Sequence, residues 1–285
     1  MKVYEVITDR ILAALDEGTI PWRKPWKCGG APKNLVTGKP YRGLNILLTA
    51  MQRYASPYWL TFKQATERGG QIRKGEKGTP VIFWNWQRRQ VPDQEGEIEE
   101  KEVPYMRYYT VFNFSQIEGL ALPGNETAEK FALIASCEEV LTRMPSPPSI
   151  VHGFSQACYS WTKDQIRMPP RASFKSKESY YATLFHEIAH STGHSSRLAR
   201  KGIEEKHSFG SPEYSKEELI AECGASFLCG YTGIENETIE NQAAYIEHWK
   251  KQLEADKKLI ISAAAQAQKA ADFILNRRAD VEEAA

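Results

Sequence analysis

The chain has 285 residues, with 26% charged, 41% hydrophobic and 11% aromatic side chains, a globular composition that excludes wholesale disorder and allows one or two domains. No run approaches the roughly 18 apolar residues of a membrane span, and the opening MKVYEVITDRILAALDEG is acidic without a long apolar run, so neither a membrane partner nor a signal peptide is expected. The net charge of +1 divides unevenly, because residues 1–120 hold 18 Lys+Arg against 13 Asp+Glu, and six of those acids fall in Asp93–Glu102.

Val3, Val6, Ile7, Ile11 and Leu15 recur at helical spacing and Gly18 follows them, which predicts a first helix. A basic, Pro-rich loop comes next, from Pro21 through Trp22, Arg23, Lys24, Trp26 and Lys27 to Gly43. Short helices are predicted over Leu44–Tyr54 and Thr61–Arg68, with Thr61 as N-cap. A strand over Pro80–Trp86 pairs with one over Met106–Phe114, and the acidic segment between them reads as a mobile loop. A Pro-Gly turn at Pro123-Gly124 marks a boundary. The fold class expected is α+β, with an N-terminal α+β domain at 1–122 and a mainly helical domain with a small sheet at 123–285. In the second domain the pattern predicts helices over Ala128–Arg143, Lys177–Thr192 and Lys216–Tyr231, and one long helix from Asn241 to Asn276. Strands are expected near Ala157–Trp161 and Gln165–Met168, the latter as an edge for an extended peptide.

The most informative residues are His186-Glu187-Ile188-Ala189-His190. Histidines at i and i+4 lie one helical turn apart on one face, so both imidazoles reach one metal, and Glu187 is placed as general base toward a water beside it. An open site of this kind needs a third protein ligand. A histidine six residues after the second is one solution, but Ser196 stands there. The other is a glutamate on a following helix, supplied by Glu217-Glu218-Leu219-Ile220-Ala221-Glu222. Glu218 is read as the third ligand and Glu222 as the partner of a ligand imidazole, and the reverse assignment stays open. One divalent ion, Zn2+ by its donor set, is the expected cofactor. The five cysteines contain no CxxC and read as reduced thiols of a cytosolic protein, so zinc held by thiolates is not expected.

The run His186-Glu187-x-x-His190-x-Thr192-Gly193-His194-x-x-Arg197-Leu198, with Glu217-Glu218-Leu219-x-Ala221-Glu222 after it, resembles the ArdC-type antirestriction proteins of conjugative plasmids. Pro21-Trp22, Tyr41-Arg42-Gly43-x-Asn45 and Lys74-Gly75-Glu76-Lys77-Gly78 are similar to that family's N-terminal part. The same holds near the end for Ala244-Tyr245-Ile246-x-x-Trp249, Asp256-Lys257-Lys258 and Ala267-Gln268-Lys269-Ala270. The resemblance implies an N-terminal single-stranded-DNA-binding domain shared with some plasmid primases. It also implies a C-terminal zincin-like metallopeptidase domain and a role in protecting incoming plasmid DNA from host restriction.

Outside the acidic segment, the N-terminal region carries about +10, a balance that points to a polyanion. Single strands bind where cations track phosphates and aromatic faces stack on bases. Trp22, Arg23, Lys24, Trp26 and Lys27 offer both in six residues, and Arg42, Arg73, Lys74 and Lys77 could converge from other loops. Phe83, Trp59, Trp84 and Phe112 lie in strand-like runs and read as core. Two alternatives stand beside the leading reading. One is a conventional soluble metallopeptidase whose basic domain recognises protein. The other is a DNA-binding shield with an inactive zincin domain. A host protein is the expected substrate of any peptidase activity.

Overall fold

A computed structural model describes residues 3–23, 31–52, 54, 56–92, 98–121, 130–200, 212–234 and 242–277. Helix α1, Val3–Asp16, buries Ile7, Ile11 and Leu15 along one stripe, as the spacing requires. Helix α2, Leu44–Ala50, starts after Gly43, whose φ of +54° is a conformation glycine adopts without a Cβ clash. Its Asn45 side chain exchanges two 2.7 Å hydrogen bonds with the Ile82 backbone, so the helix is fastened to the sheet. Helix α3, Phe62–Glu67, is capped by Thr61 in a reciprocal pair with Gln64.

Strands β1 (Lys33–Asn34), β2 (Tyr58–Thr61), β4 (Thr79–Pro92) and β5 (Ile98–Asn113) form one sheet in the order β1-β2-β5-β4. Short strands β3 (Gln71–Ile72) and β6 (Ile117–Glu118) pair beside it. The β4–β5 ladder runs from Thr79↔Val111 to Pro92↔Ile98. Residues Ile98–Glu102, read from their charge as loop, are therefore paired strand, since the backbone ladder of the ribbon continues through them whatever their charge. Residues 93–97 lie outside the described residues.

Helix α4, Lys130–Arg143, leads to a three-stranded sheet of β7 (Ser149–His152), β8 (Cys158–Ser160) and β9 (Gln165–Met168) in the order β7-β9-β8. The expectation that Gln165–Met168 offers an edge is corrected here. It is the central strand, parallel to β7 and antiparallel to β8, with Ile166 and Met168 fully buried. The edges belong to β7 and β8. Helices α5 (Lys177–Ser191) and α6 (Pro212–Thr232) follow. The single long C-terminal helix of the sequence reading is two, α7 (Gln242–Ala255) and α8 (Leu259–Ile274). They part where the Asp256 carboxylate accepts the Lys258 amide at 2.8 Å, a local bond that competes with helical pairing. The Lys257 carbonyl accepts from the Thr8 hydroxyl at 2.7 Å.

One hydrophobic core joins Ile7, Ile11, Leu15, Trp22, Leu47 and Ile82 to Leu184, Phe185, Leu219, Leu228, Ala263 and Ile274. Helices α1 and α2 thus share a core with α5, α6 and α8. No described helix is long and apolar enough to cross a membrane.

Candidate metal centre

Helix α5 begins at a Ser176 cap that accepts the Ser179 amide. Its face of Leu184, Phe185 and Ile188 is buried, which turns His186 and His190 toward α6. Their Nε2 atoms lie 3.1 Å apart. The Glu218 carboxylate reaches both, 3.6 Å from His186 Nε2 and 3.5 Å from His190 Nε2. These donors all lie within 4.8 Å of one another, which is the convergence a single cation requires. Two neutral nitrogens and one carboxylate form the donor set of an open divalent site, so the residues fit the metal. Glu187 is 7% exposed beside them, and its charge acts on both His190 and Tyr214. The close approach of α6 depends on Gly224, where a Cβ would stand 3.0 Å from that of Ala189.

Charge around the donors favours a cation. Burial opposes protonation of His190, but the Glu217 hydrogen bond and the carboxylates of Glu218 and Glu187 outweigh it and push its pKa up to about 9. Burial likewise opposes ionisation of Glu218, yet His186 and His190 hold its pKa down at about 2. Tyr214 is pushed up to about 12 by burial and by Glu218 and Glu187, so its phenol stays protonated beside the carboxylate.

The imidazole of His190 is backed by Glu217, at 3.4 Å from Nδ1. Glu217 is buried and pairs with a buried arginine, Arg200, whose Nε and one terminal nitrogen lie 3.0 and 2.6 Å from its oxygens. Arg200 also donates to the Ala189 carbonyl at 2.9 Å and the Thr192 hydroxyl at 2.5 Å. For His190 the partner is therefore Glu217, where the sequence reading placed Glu222 behind a ligand imidazole. Glu222 is buried one turn further along α6 and is not in the converging group. His194 packs instead against Trp161. Beyond α5, Arg197 donates to the Ser191 carbonyl, the Ser146 carbonyl and Asp164, fixing the β8–β9 turn against the end of the helix.

Two families match this chain. One described as the N-terminal domain of anti-restriction factor ArdC covers residues 1–112, and a zincin-like metallopeptidase family covers 138–266. The crystal structure of antirestriction ArdC protein from plasmid R388, metal-free, superposes with a TM-score of 0.76 at 39% identity, over 98% of this chain and 100% of that one. The chain belongs to the ArdC antirestriction family. The Mn(II)-bound structure of the same ArdC superposes with a TM-score of 0.73 at 38% identity, over 99% and 100%. DNA primase TraC of Escherichia coli is 38% identical over 95% of this chain, which spans only 27% of that protein's length. An uncharacterized protein, y4eC, of Sinorhizobium fredii is 32% identical over 98% of this chain and 94% of its own.

Of the residues singled out for DNA in this ArdC-family chain, Trp22 stands where a strand cannot reach it. Trp22 is 0% exposed. Its Nε1 donates to the Tyr245 hydroxyl at 2.9 Å, and its ring meets Trp249 edge-on at 5.8 Å. It is a core residue, not a stacking platform. Arg42 is taken up by Asp272 of α8, while the neighbouring Gly43 amide donates to Gln268 at 2.6 Å. Arg73 is exposed and paired with Glu76 at 2.7 Å, and Lys74 and Lys77 are exposed. Lys24, Trp26 and Lys27 lie outside the described residues, as does the side chain of Arg23. Sequence reasoning missed Glu217 and Arg200. Glu217 could have been found as the immediate neighbour of Glu218, but Arg200 carries no local signal.

Proposed function

We propose that this chain protects incoming plasmid DNA from host restriction during conjugation, acting in the cytoplasm through single-stranded-DNA binding and a zinc-dependent peptidase-type site. The observation that carries the reading is the convergence of His186, His190 and Glu218, with Glu187 on the same helix. A divalent ion bound there, zinc in this reading, supplies a Lewis acid that polarises a peptide carbonyl and acidifies water. His186 and His190 offer Nε2, and Glu218 offers a carboxylate oxygen. Glu217 holds the His190 ring through Nδ1, and Glu222 is proposed to do the same for His186. Glu187, on the same helix face, takes the proton of the attacking water and passes it to the leaving amine. Tyr214, neutral beside Glu218, offers a hydroxyl donor toward the site. The likeness to a Mn(II)-bound ArdC supports a divalent ion, and the match to a segment of a DNA primase supports a nucleic-acid partner.

A plasmid-protection assay with Glu187→Gln, run beside metal analysis, tests the reading. The variant is expected to retain wild-type metal stoichiometry and to lose about 100-fold or more of any peptidase rate, with loss of protection. Undiminished protection by a metal-loaded Glu187→Gln protein would remove hydrolysis from the function and leave a DNA shield.

A further inference from the structure

The long β4–β5 ribbon carries a row of side chains that the metal centre does not use. Side chains alternate along a strand, so Tyr105, Arg107 and Tyr109 of β5 share one face. The register sets Arg107 opposite Phe83 and Tyr109 opposite Val81, which brings Phe83 of β4 into the same row. At one end this face is closed, because Val81, Val111 and Trp59 are buried under Tyr41, with Tyr54 and Phe83 at the margin. Beyond that margin it opens. Tyr109 is 40% exposed, Arg107 is exposed, and Tyr105 and Phe83 are half-buried. The rings are braced rather than loose. Phe83 meets Tyr109 edge-on at 5.4 Å, and the Arg107 guanidinium lies 5.1 Å from the Tyr105 ring centre.

Two features of charge select the occupant. Among the described residues no carboxylate pairs with Arg107, which stands between two tyrosines. At the closed end the Arg73–Glu76 pair lies close enough to act on the Tyr54 hydroxyl, and exposed Lys74 and Lys77 follow in the same turn. Part-exposed rings flanking a cation on an open strand face match the chemistry of unpaired bases on a phosphate chain. A duplex keeps its base faces stacked inside and cannot use the rings. We propose that this face of β4–β5, centred on Tyr105, Arg107 and Tyr109, is where single-stranded nucleic acid lies, with bases stacked on the tyrosines and a phosphate on Arg107. The inference rests on the single-strand binding proposed above and relocates it from the Trp22–Lys27 loop to the sheet.

The test is fluorescence anisotropy with the full chain and a labelled oligothymidylate of about 20 nucleotides, titrated at several salt concentrations. Tyr105→Ala and Tyr109→Ala are expected to weaken binding roughly 5- to 100-fold each, and Tyr109→Phe, which keeps the ring, to stay within about twofold. Arg107→Ala should reduce the log–log salt slope by about 0.7. Tyr108→Ala is the control, since Tyr108 is 51% exposed on the opposite face of the same strand and should bind as wild type. Wild-type affinity in a folded Tyr105→Ala/Tyr109→Ala double variant overturns the surface and leaves single-strand binding standing. Failure of the wild type itself to bind overturns both. If the alanine variants do not fold, an oligonucleotide bearing 5-iodouracil, photo-crosslinked to the wild type, decides. Adducts on Tyr105 or Tyr109 support the surface, and adducts confined to residues 22–27 overturn it.

Discussion

Arg200 shows how much of a metal site is built by residues that never touch the metal. It and Glu217 are both buried, and each satisfies the other while Glu217 orients the His190 ring. Removing one partner leaves a buried charge, which costs about 3–5 kcal/mol. Arg200→Ala should therefore lower thermal stability and weaken metal affinity by about 10- to 100-fold, and Glu217→Gln should weaken affinity similarly with a smaller stability loss. Competition with a chelator and a thermal melt of each variant check this. Wild-type affinity in both would sink the positioning role. Protons compete with the metal for the same atoms. With the His190 pKa raised to about 9, ion uptake below that pH must release its proton, so affinity should rise about tenfold per pH unit up to about pH 9. Without metal the sign for stability is opposite. A raised histidine pKa contributes fully below about 6.5 and is lost as pH rises through about 9. The lowered Glu218 pKa contributes above about 4.5 and is lost as pH falls toward 2. Denaturation of the metal-free protein across pH is the measurement, and a metal affinity independent of pH between 6 and 8 would contradict the assignment.

At the same scale, sequence spacing picks out His186, His190 and Glu218 because a helix repeats its face every three to four residues, whatever surrounds it. Arg200 escapes that logic. It reaches Glu217 only because the chain after α5 folds back, with the Leu198 amide on the Thr192 carbonyl, the Arg200 amide on that of Gly193, and Ala199 at a φ of +47°. Trp22 escapes it too. A tryptophan between prolines and cations looks the same in sequence whether its ring is wet or buried.

Among the elements, the α5–α6 contact sets the spacing of the donors. Gly224 lets α6 close on Ala189, one residue from His190, so a branched side chain there must push the helices apart. Gly224→Val should cost about 1–3 kcal/mol of stability by overpacking and should weaken metal affinity more than a core substitution of equal stability cost remote from α5. Paired melts and metal titrations of Gly224→Val and Leu15→Ala make the comparison, and equal affinities would show that helix spacing does not control the site. Elements with a local signature were legible in the sequence. Thr61 as an N-cap announces α3, and apolar spacing ending at Gly18 announces α1. The α7–α8 break was not legible, because Asp256-Lys257-Lys258 suits a helix surface by composition and turns only through Asp256 bonding locally and Thr8 capturing the Lys257 carbonyl. Strand β7 was missed for a related reason. Ser149–His152 is short and mostly exposed, so its pairing with β9 is tertiary rather than patterned.

Across the whole molecule, the shared core means that the N-terminal segment and the metal centre are energetically linked. Ile7, Ile11, Leu15 and Trp22 bury themselves in one cluster with residues of α5, α6 and α8. Burial of each large apolar side chain contributes about 1.5–3 kcal/mol. Lys250 with Asp16 and Lys257 with Asp9, each at 2.6 Å, sit at the rim of the same contact. An ion that binds only the folded site stabilises whatever unfolds together with it, by about 2.7 kcal/mol at a free concentration 100 times the dissociation constant. For a chain of this size that is a rise of roughly 4–5 °C in melting temperature. The amides of α1 and α2 should therefore gain protection from hydrogen exchange on adding Zn2+ or Mn2+, by a factor close to that gained by α5. Exchange measured by mass spectrometry on the full chain, with and without metal, reads the segments separately. Slowed exchange in α5 with no change in α1 would mean that the N-terminal helices open independently of the site, despite the apolar side chains they bury against it.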